Sequence, residues 1–208
     1  MLLPGLTLTV AMTEVTADHL VSGTARLTGA IVTFIALGFG IAMGRRVVEL
    51  ALGATPAGIG AALPPWTEGL AVLVAPLALT VLLRAHPRDA GWILGAGILS
   101  YAGGLIGARA LGPELGLFVG ALVAGVTSNL YGRALARSPS VTLVPSLLLL
   151  VPGSIGFRSL GALLDREVVD GVEAAFRMVL MVAALVAGLL IANIAAPPER
   201  RGKAAPAA

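Results

Sequence analysis

Several residues in this 208-residue chain have the types and spacing to bind a solute bearing a carboxylate. Pro152, Gly153, Ser154 and Arg158 lie inside an apolar run, residues 142–164, that also contains Pro145. Each proline removes a backbone donor and clashes with the preceding turn. The carbonyls freed in this way find no hydrogen bonds in hydrocarbon. This backbone is therefore expected to face protein or a water-filled cavity, where broken helix ends place partial charges at membrane depth. Arg158 follows Pro152 by six residues, and a charge in so apolar a setting is costly unless paired or hydrated, so a functional role is its default reading. Asp165 and Glu167 are its candidate partners.

A second set is Ser128, Asn129 and Arg133, near the end of a run rich in small residues, with Asn129, Arg133 and Arg137 spaced by four. That spacing puts the three on one helical face. Arginines of this kind, with the backbone donors that follow Pro152-Gly153-Ser154, suit a carboxylate. The alternative is that Arg133 and Arg137 anchor a helix end among lipid headgroups, and for Arg137 that reading is preferred. Coupling to protons needs a titrating group, and Glu14 and Glu173 are the candidates, each with a plainer alternative as an interfacial residue. His19 and His86 have no second ligand at metal spacing, so neither a metal nor any other cofactor is expected.

The elements that must position these residues follow from composition. The chain is 57% hydrophobic and only 12% charged, against roughly 25% charged in soluble domains. An all-α, polytopic membrane helix bundle is expected, with about six spans and one helix broken at Pro-Gly. With no cysteine, disulfides, thiolate metal sites and thiol catalysis are excluded. The pI is near 10.2, yet the net charge is +3 and the arginines sit singly or in pairs at the ends of apolar runs. That is the distribution of topology signals and not of a nucleic-acid-binding face.

Uncharged runs mark the spans at residues 27–44, 70–83 (extendable to 66–84), 90–108, 115–132, 138–157 and 178–198, most of them near the length of about 20 residues that a bilayer requires. Residues 46–65 read as a Gly/Pro-rich linker and residues 197–208 as a disordered basic tail. The amino terminus lacks the basic leader of a signal peptide. Leu3-Pro4-Gly5 precedes Gly23 as Val151-Pro152-Gly153 precedes Gly171, eighteen residues after the Pro-Gly glycine in both cases. Each is followed by a long uncharged helix, so either Pro4 and Gly5 form a second copy of the broken element or the coincidence is chance. Small residues recur every four positions at Gly91 and Gly95, Gly103 and Gly107, Gly116 to Ser128, and Ala184 to Ala192. Such faces allow close helix contact in lipid.

Three stretches carry a resemblance to a known family: AHPRDAGWILGAGILSYAGG at 85–104, VTLVPSLLLLVPGSIGFRSLGALL at 141–164, and LLPGLTLTVAMTEVTADHLVSGTARLTGA at 2–30. They resemble the threonine/serine exporter family, whose members include amino-acid exporters and paired-subunit dicarboxylate exporters. Residues 66–196 are similar to the whole of that family's second membrane domain, and residues 1–45 to the last part of its first. The resemblance implies a secondary transporter in the cell's inner membrane, exporting small polar metabolites such as threonine or serine by alternating access. Two alternatives stand beside it: a subunit of a two-part dicarboxylate or amino-acid exporter, acting with a partner membrane subunit or as a homo-oligomer, and a truncated, non-transporting membrane protein. An intramembrane enzyme ranks last, since the chain has no Gly-x-Ser-x-Gly elbow, no paired aspartates within a span and no His-Glu-x-x-His. If residues 142–164 cross fully, eight basic residues lie on one side and five on the other. That bias places the carboxyl terminus in the cytoplasm.

Overall fold

The computed structural model describes residues 7, 8, 10, 11, 14, 20–53, 64, 66–150 and 168–197. Among them every regular element is helical: α1 (Leu20–Leu52), α2 (Trp66–Leu82), α3 (Ala90–Leu111), α4 (Pro113–Leu135), α5 (Ser140–Leu150) and α6 (Val168–Ala195), with one 3-10 turn at Pro87–Asp89 before α3. Four stretches are long and apolar enough to cross a bilayer: Leu20–Leu52, Pro87–Leu111, Pro113–Leu135 and Phe176–Ala195. The expected helical membrane bundle is thus observed.

Helix ends follow local chemistry. Gly112, at φ 95°, ends α3 in a conformation that only glycine adopts easily, and Pro113 starts α4 with its φ already set for a helix. Ala136 is left-handed and ends α4, its N–H donating to the Gly132 carbonyl. Several helix boundaries lie beyond the uncharged runs, most of all in α1 and at the start of α6. The helix expected over 27–44 runs on to Leu52, through Arg45 and Arg46. At 33 residues α1 is about 50 Å long at 1.5 Å per residue, well beyond the ~30 Å hydrocarbon layer. Charges end the apolar span without ending the helix, because its backbone bonds need no lipid; Arg46 pairs with Glu49 at 3.2 Å on the protruding turn.

The chain divides into two compact units, residues 1–70 with 151–186, and residues 71–150 with 187–208. The second is built on small-residue contacts. A Cβ on Gly107 would meet Val119 at 2.9 Å and Gly116 at 3.1 Å, and one on Gly116 would meet the Ala108 backbone at 2.8 Å, so α3 and α4 touch almost backbone to backbone. The side chain of Leu150 lies against Gly104 and Gly120, bringing α5 onto both helices. The end of α6 packs on α4 through Gly125 and Ala192, and through Gly188 against Phe118, Ala121 and Leu122. Gly91 and Gly95 behave differently: a Cβ added to either would meet nothing within 4 Å. Their spacing alone suggests packing, whereas here it leaves open space.

Candidate functional site

Pro4, Gly5, Pro152, Gly153, Ser154 and Arg158 lie outside the described residues. In the first unit, Glu14 Oε1 meets Arg26 Nε at 3.0 Å, while Oε2 is buried with no hydrogen-bond partner among the described residues. Glu173 instead stands on the exposed surface of α6, 65% accessible, paired with Arg177 one turn on at 3.1 Å.

In the second unit, Ser128, Asn129 and Arg133 sit where α4 meets the end of α6. Asn129 is buried and its Nδ2 donates to Asn193 Oδ1 at 3.0 Å and to the Ala196 carbonyl at 2.8 Å. The Arg133 guanidinium donates from Nε and Nη2 to the Pro197 carbonyl, at 2.9 and 2.5 Å. These two side chains therefore hold the carbonyls just past the end of α6, a place where helices leave backbone acceptors open. Ser128 Oγ is buried and has no hydrogen-bond partner among the described residues. Replacing Asn129 by alanine is expected to lower stability by about 1–3 kcal/mol, since it removes the donor of the Ala196 carbonyl, a residue buried just past α6; thermal unfolding in detergent measures it, with Thr24→Ala on the exposed part of α1 as the neutral comparison.

Arg137 does not share the face of Asn129 and Arg133. The left-handed Ala136 ends the helix first, and the Arg137 N–H donates back to the Gly132 carbonyl at 3.2 Å. This reversal turns Arg137 toward the start of α3, where its Nη1 meets both oxygens of Asp89 at 2.5 and 2.6 Å. The Asp89 side chain is 6% exposed and that of Arg137 is 40% exposed. Arg137 is therefore an ion-pair partner and not simply a headgroup anchor. The Tyr131 hydroxyl, buried and without a hydrogen bond of normal geometry, interacts electrostatically with both. Tyr131 first and Asp89 second raise the Arg137 guanidinium above its already high ordinary value, so it remains charged at any physiological pH.

Tyr131 connects this pair to a cleft of about 280 Å³ between α3, α4 and the start of α5. Gly91, Trp92 and Gly95 form one wall, Thr127 and Tyr131 another, and Thr142 closes it. The Trp92 and Tyr131 rings meet edge to face, 5.7 Å between centroids, a favourable aromatic geometry. The volume falls just below the range of roughly 300–1,000 Å³ typical of ligand pockets. Asp89, Trp92, Tyr131 and Thr142 are not distinguished by spacing in the sequence. The only signal was an acidic residue at the head of one uncharged run and a basic residue just past the end of the next, 48 positions apart.

Long apolar helices joined by small-residue faces, with polar side chains enclosed between them, define an α-helical membrane protein. A family model described as Threonine/Serine exporter, ThrE, matches residues 68–195, and a second threonine/serine exporter model matches residues 1–48. The chain belongs to the threonine/serine exporter family, a family of transporters, and the expected resemblance is thereby established. No curated protein and no solved structure matches it.

Proposed function

We propose that this chain is a secondary exporter of small polar metabolites, threonine and serine foremost, working by alternating access across the inner membrane. Family membership over residues 68–195 is the observation that carries the reading. Pro152, Gly153, Ser154 and Arg158 supply the carboxylate-binding element of this proposal, with Pro4 and Gly5 as its counterpart in the first repeat. Ser128, Asn129 and Arg133 complete it from α4. The donors of Asn129 and Arg133 are taken up by the carbonyls that end α6, so a movement of that helix end releases them for an anionic group. Glu14, with one enclosed and unpaired oxygen, is the preferred proton carrier over the exposed Glu173.

Cells loaded with a threonine-containing dipeptide provide the test. Wild type should export threonine, and Arg158→Ala should lower the initial efflux rate by about tenfold or more, the equivalent of one lost charge-assisted hydrogen bond. Equal efflux from the two would remove Arg158 from the mechanism, and no efflux from wild type would reject the exporter reading.

A further inference from the structure

We infer that the cleft between α3, α4 and α5 is a binding site for an anionic membrane phospholipid, its acyl chain lying in the cleft and its phosphate on the exposed arginines before α3. This goes beyond the exporter reading and does not depend on it. Gly91, Trp92, Gly95 and Leu99 form the α3 wall of the cleft, facing Leu130 and the Tyr131 ring on α4. The two threonine hydroxyls in the lining are turned to the backbone, Thr127 Oγ1 donating to the Val123 carbonyl at 2.7 Å and Thr142 Oγ1 to the Pro139 carbonyl at 3.2 Å. A polar solute would give up its hydration there with few hydrogen bonds in return, whereas a hydrocarbon chain has none to give up. Trp92, Leu99 and Leu130 are each about half exposed. The cleft thus opens along the side of the helices, where a spanning unit meets lipid.

Charge at one end of the cleft selects the kind of lipid. Arg88 precedes Trp92 by four residues and continues the face that carries Trp92, Gly95 and Leu99, so it heads the wall of the cleft. Arg84 stands on the short turn between α2 and α3, and both side chains are exposed. Asp89 is the one acidic group among the described residues at this end of the unit, and Arg137 already holds it. Arg84 and Arg88 therefore present their charge outward, beside the mouth of an apolar cleft. That pairing complements a phosphate ester with a chain attached, the arrangement by which basic pockets between membrane helices hold anionic headgroups. The dimensions agree. From Gly91 to Leu99 the α3 wall runs about 12 Å at 1.5 Å per residue, close to one leaflet's share, roughly 15 Å, of the hydrocarbon layer. Trp92, next to the arginines, takes the depth at which aromatic side chains collect near headgroups. A zwitterionic headgroup would bring its own positive charge beside Arg84 and Arg88 and lose part of the attraction.

The chain has two tryptophans, Trp66 and Trp92. Trp66 is exposed at the start of α2, so Trp66→Phe leaves Trp92 as the reporter within the cleft. Purified full-length Trp66→Phe protein in detergent micelles is titrated with phosphatidylglycerol or phosphatidylcholine carrying dibrominated acyl chains, whose bromines quench a tryptophan they touch. Quenching by the phosphatidylglycerol should saturate, with half of its effect at a mole fraction about fivefold lower than for phosphatidylcholine. Inorganic phosphate, which has the charge without the chain, should leave Trp92 emission unchanged. Arg88→Gln, at an exposed position, should remove the preference between the two lipids. Gly95→Leu fills the cleft where an added Cβ meets nothing within 4 Å, so the protein keeps its fold and the half-effect for phosphatidylglycerol should rise about tenfold or more, the equivalent of about two displaced methylenes. Equal curves for the two lipids, a preference that survives Arg88→Gln, or quenching unaltered by Gly95→Leu would each overturn the site. So would a response to inorganic phosphate equal to that to the lipid. A Trp92 that neither lipid quenches, in a protein that migrates as a dimer, would also overturn it, because a second copy of the chain would then cover the cleft.

Discussion

Gly188→Leu is expected to destabilise the unit formed by residues 71–150 and 187–208 by about 3 kcal/mol or more, among the largest single effects in this chain. A Cβ at that position would run into the Phe118 carbonyl oxygen and approach Ala121 Cβ and Leu122 N at 3.0 Å. Two of these three neighbours are backbone atoms of α4, which cannot rotate aside as a flexible side chain would. The new side chain must push α6 off α4, and the contacts through Gly125 and Ala192 depend on the same approach. In lipid, water does not drive helices together, so close packing is much of what holds such an interface. Thermal unfolding in detergent should show a lower midpoint for Gly188→Leu. Gly40→Ala on α1, where nothing lies within 4 Å, should leave the midpoint unchanged or raise it, because alanine is the better helix former. Equal midpoints for wild type and Gly188→Leu would mean that α6 does not pack on α4 in this way.

The second large effect concerns the ion pair and is asymmetric. Arg137→Ala strands the Asp89 carboxylate, 6% exposed, without its counter-ion. Breaking a fully buried pair in that sense costs about 3–5 kcal/mol. Arg137 is itself 40% exposed, and solvent screening makes the expected loss smaller than that. Asp89→Asn leaves the charge on the partly exposed member, which water can solvate, so its cost should be smaller, about 1 kcal/mol. Denaturation of the two single variants and of the double variant gives the coupling directly. A greater loss for Asp89→Asn than for Arg137→Ala would contradict the burial that the structure assigns to each side chain.

Much of the architecture was legible in the chain. The apolar runs mark the spans because about 20 residues of helix are needed to cross hydrocarbon whatever they pack against. The glycine at 112 followed by Pro113 marks a helix junction because that requirement is local. Small residues at four-residue spacing announced close helix contacts, and Gly107, Gly116 and Gly188 make them. The same pattern at Gly91 and Gly95 meets no neighbour within 4 Å among the described residues. A small residue permits approach without supplying the partner, and at these positions the glycines line the cleft instead.

The polar sites were less legible, for a related reason. Four-residue spacing grouped Asn129, Arg133 and Arg137 as one face, but that inference holds only while the helix lasts, and Ala136 ends it. Asn129 and Arg133 then find acceptors 64 to 67 positions away, at the end of α6, and Arg137 finds Asp89 at 48. Composition and the lengths of the apolar runs were sufficient to make this a helical membrane protein, since hydrocarbon imposes that on each segment separately. Which polar groups meet was set by how the helices come together, because in lipid a buried donor must be satisfied by whatever helix end or side chain packing brings within about 3 Å.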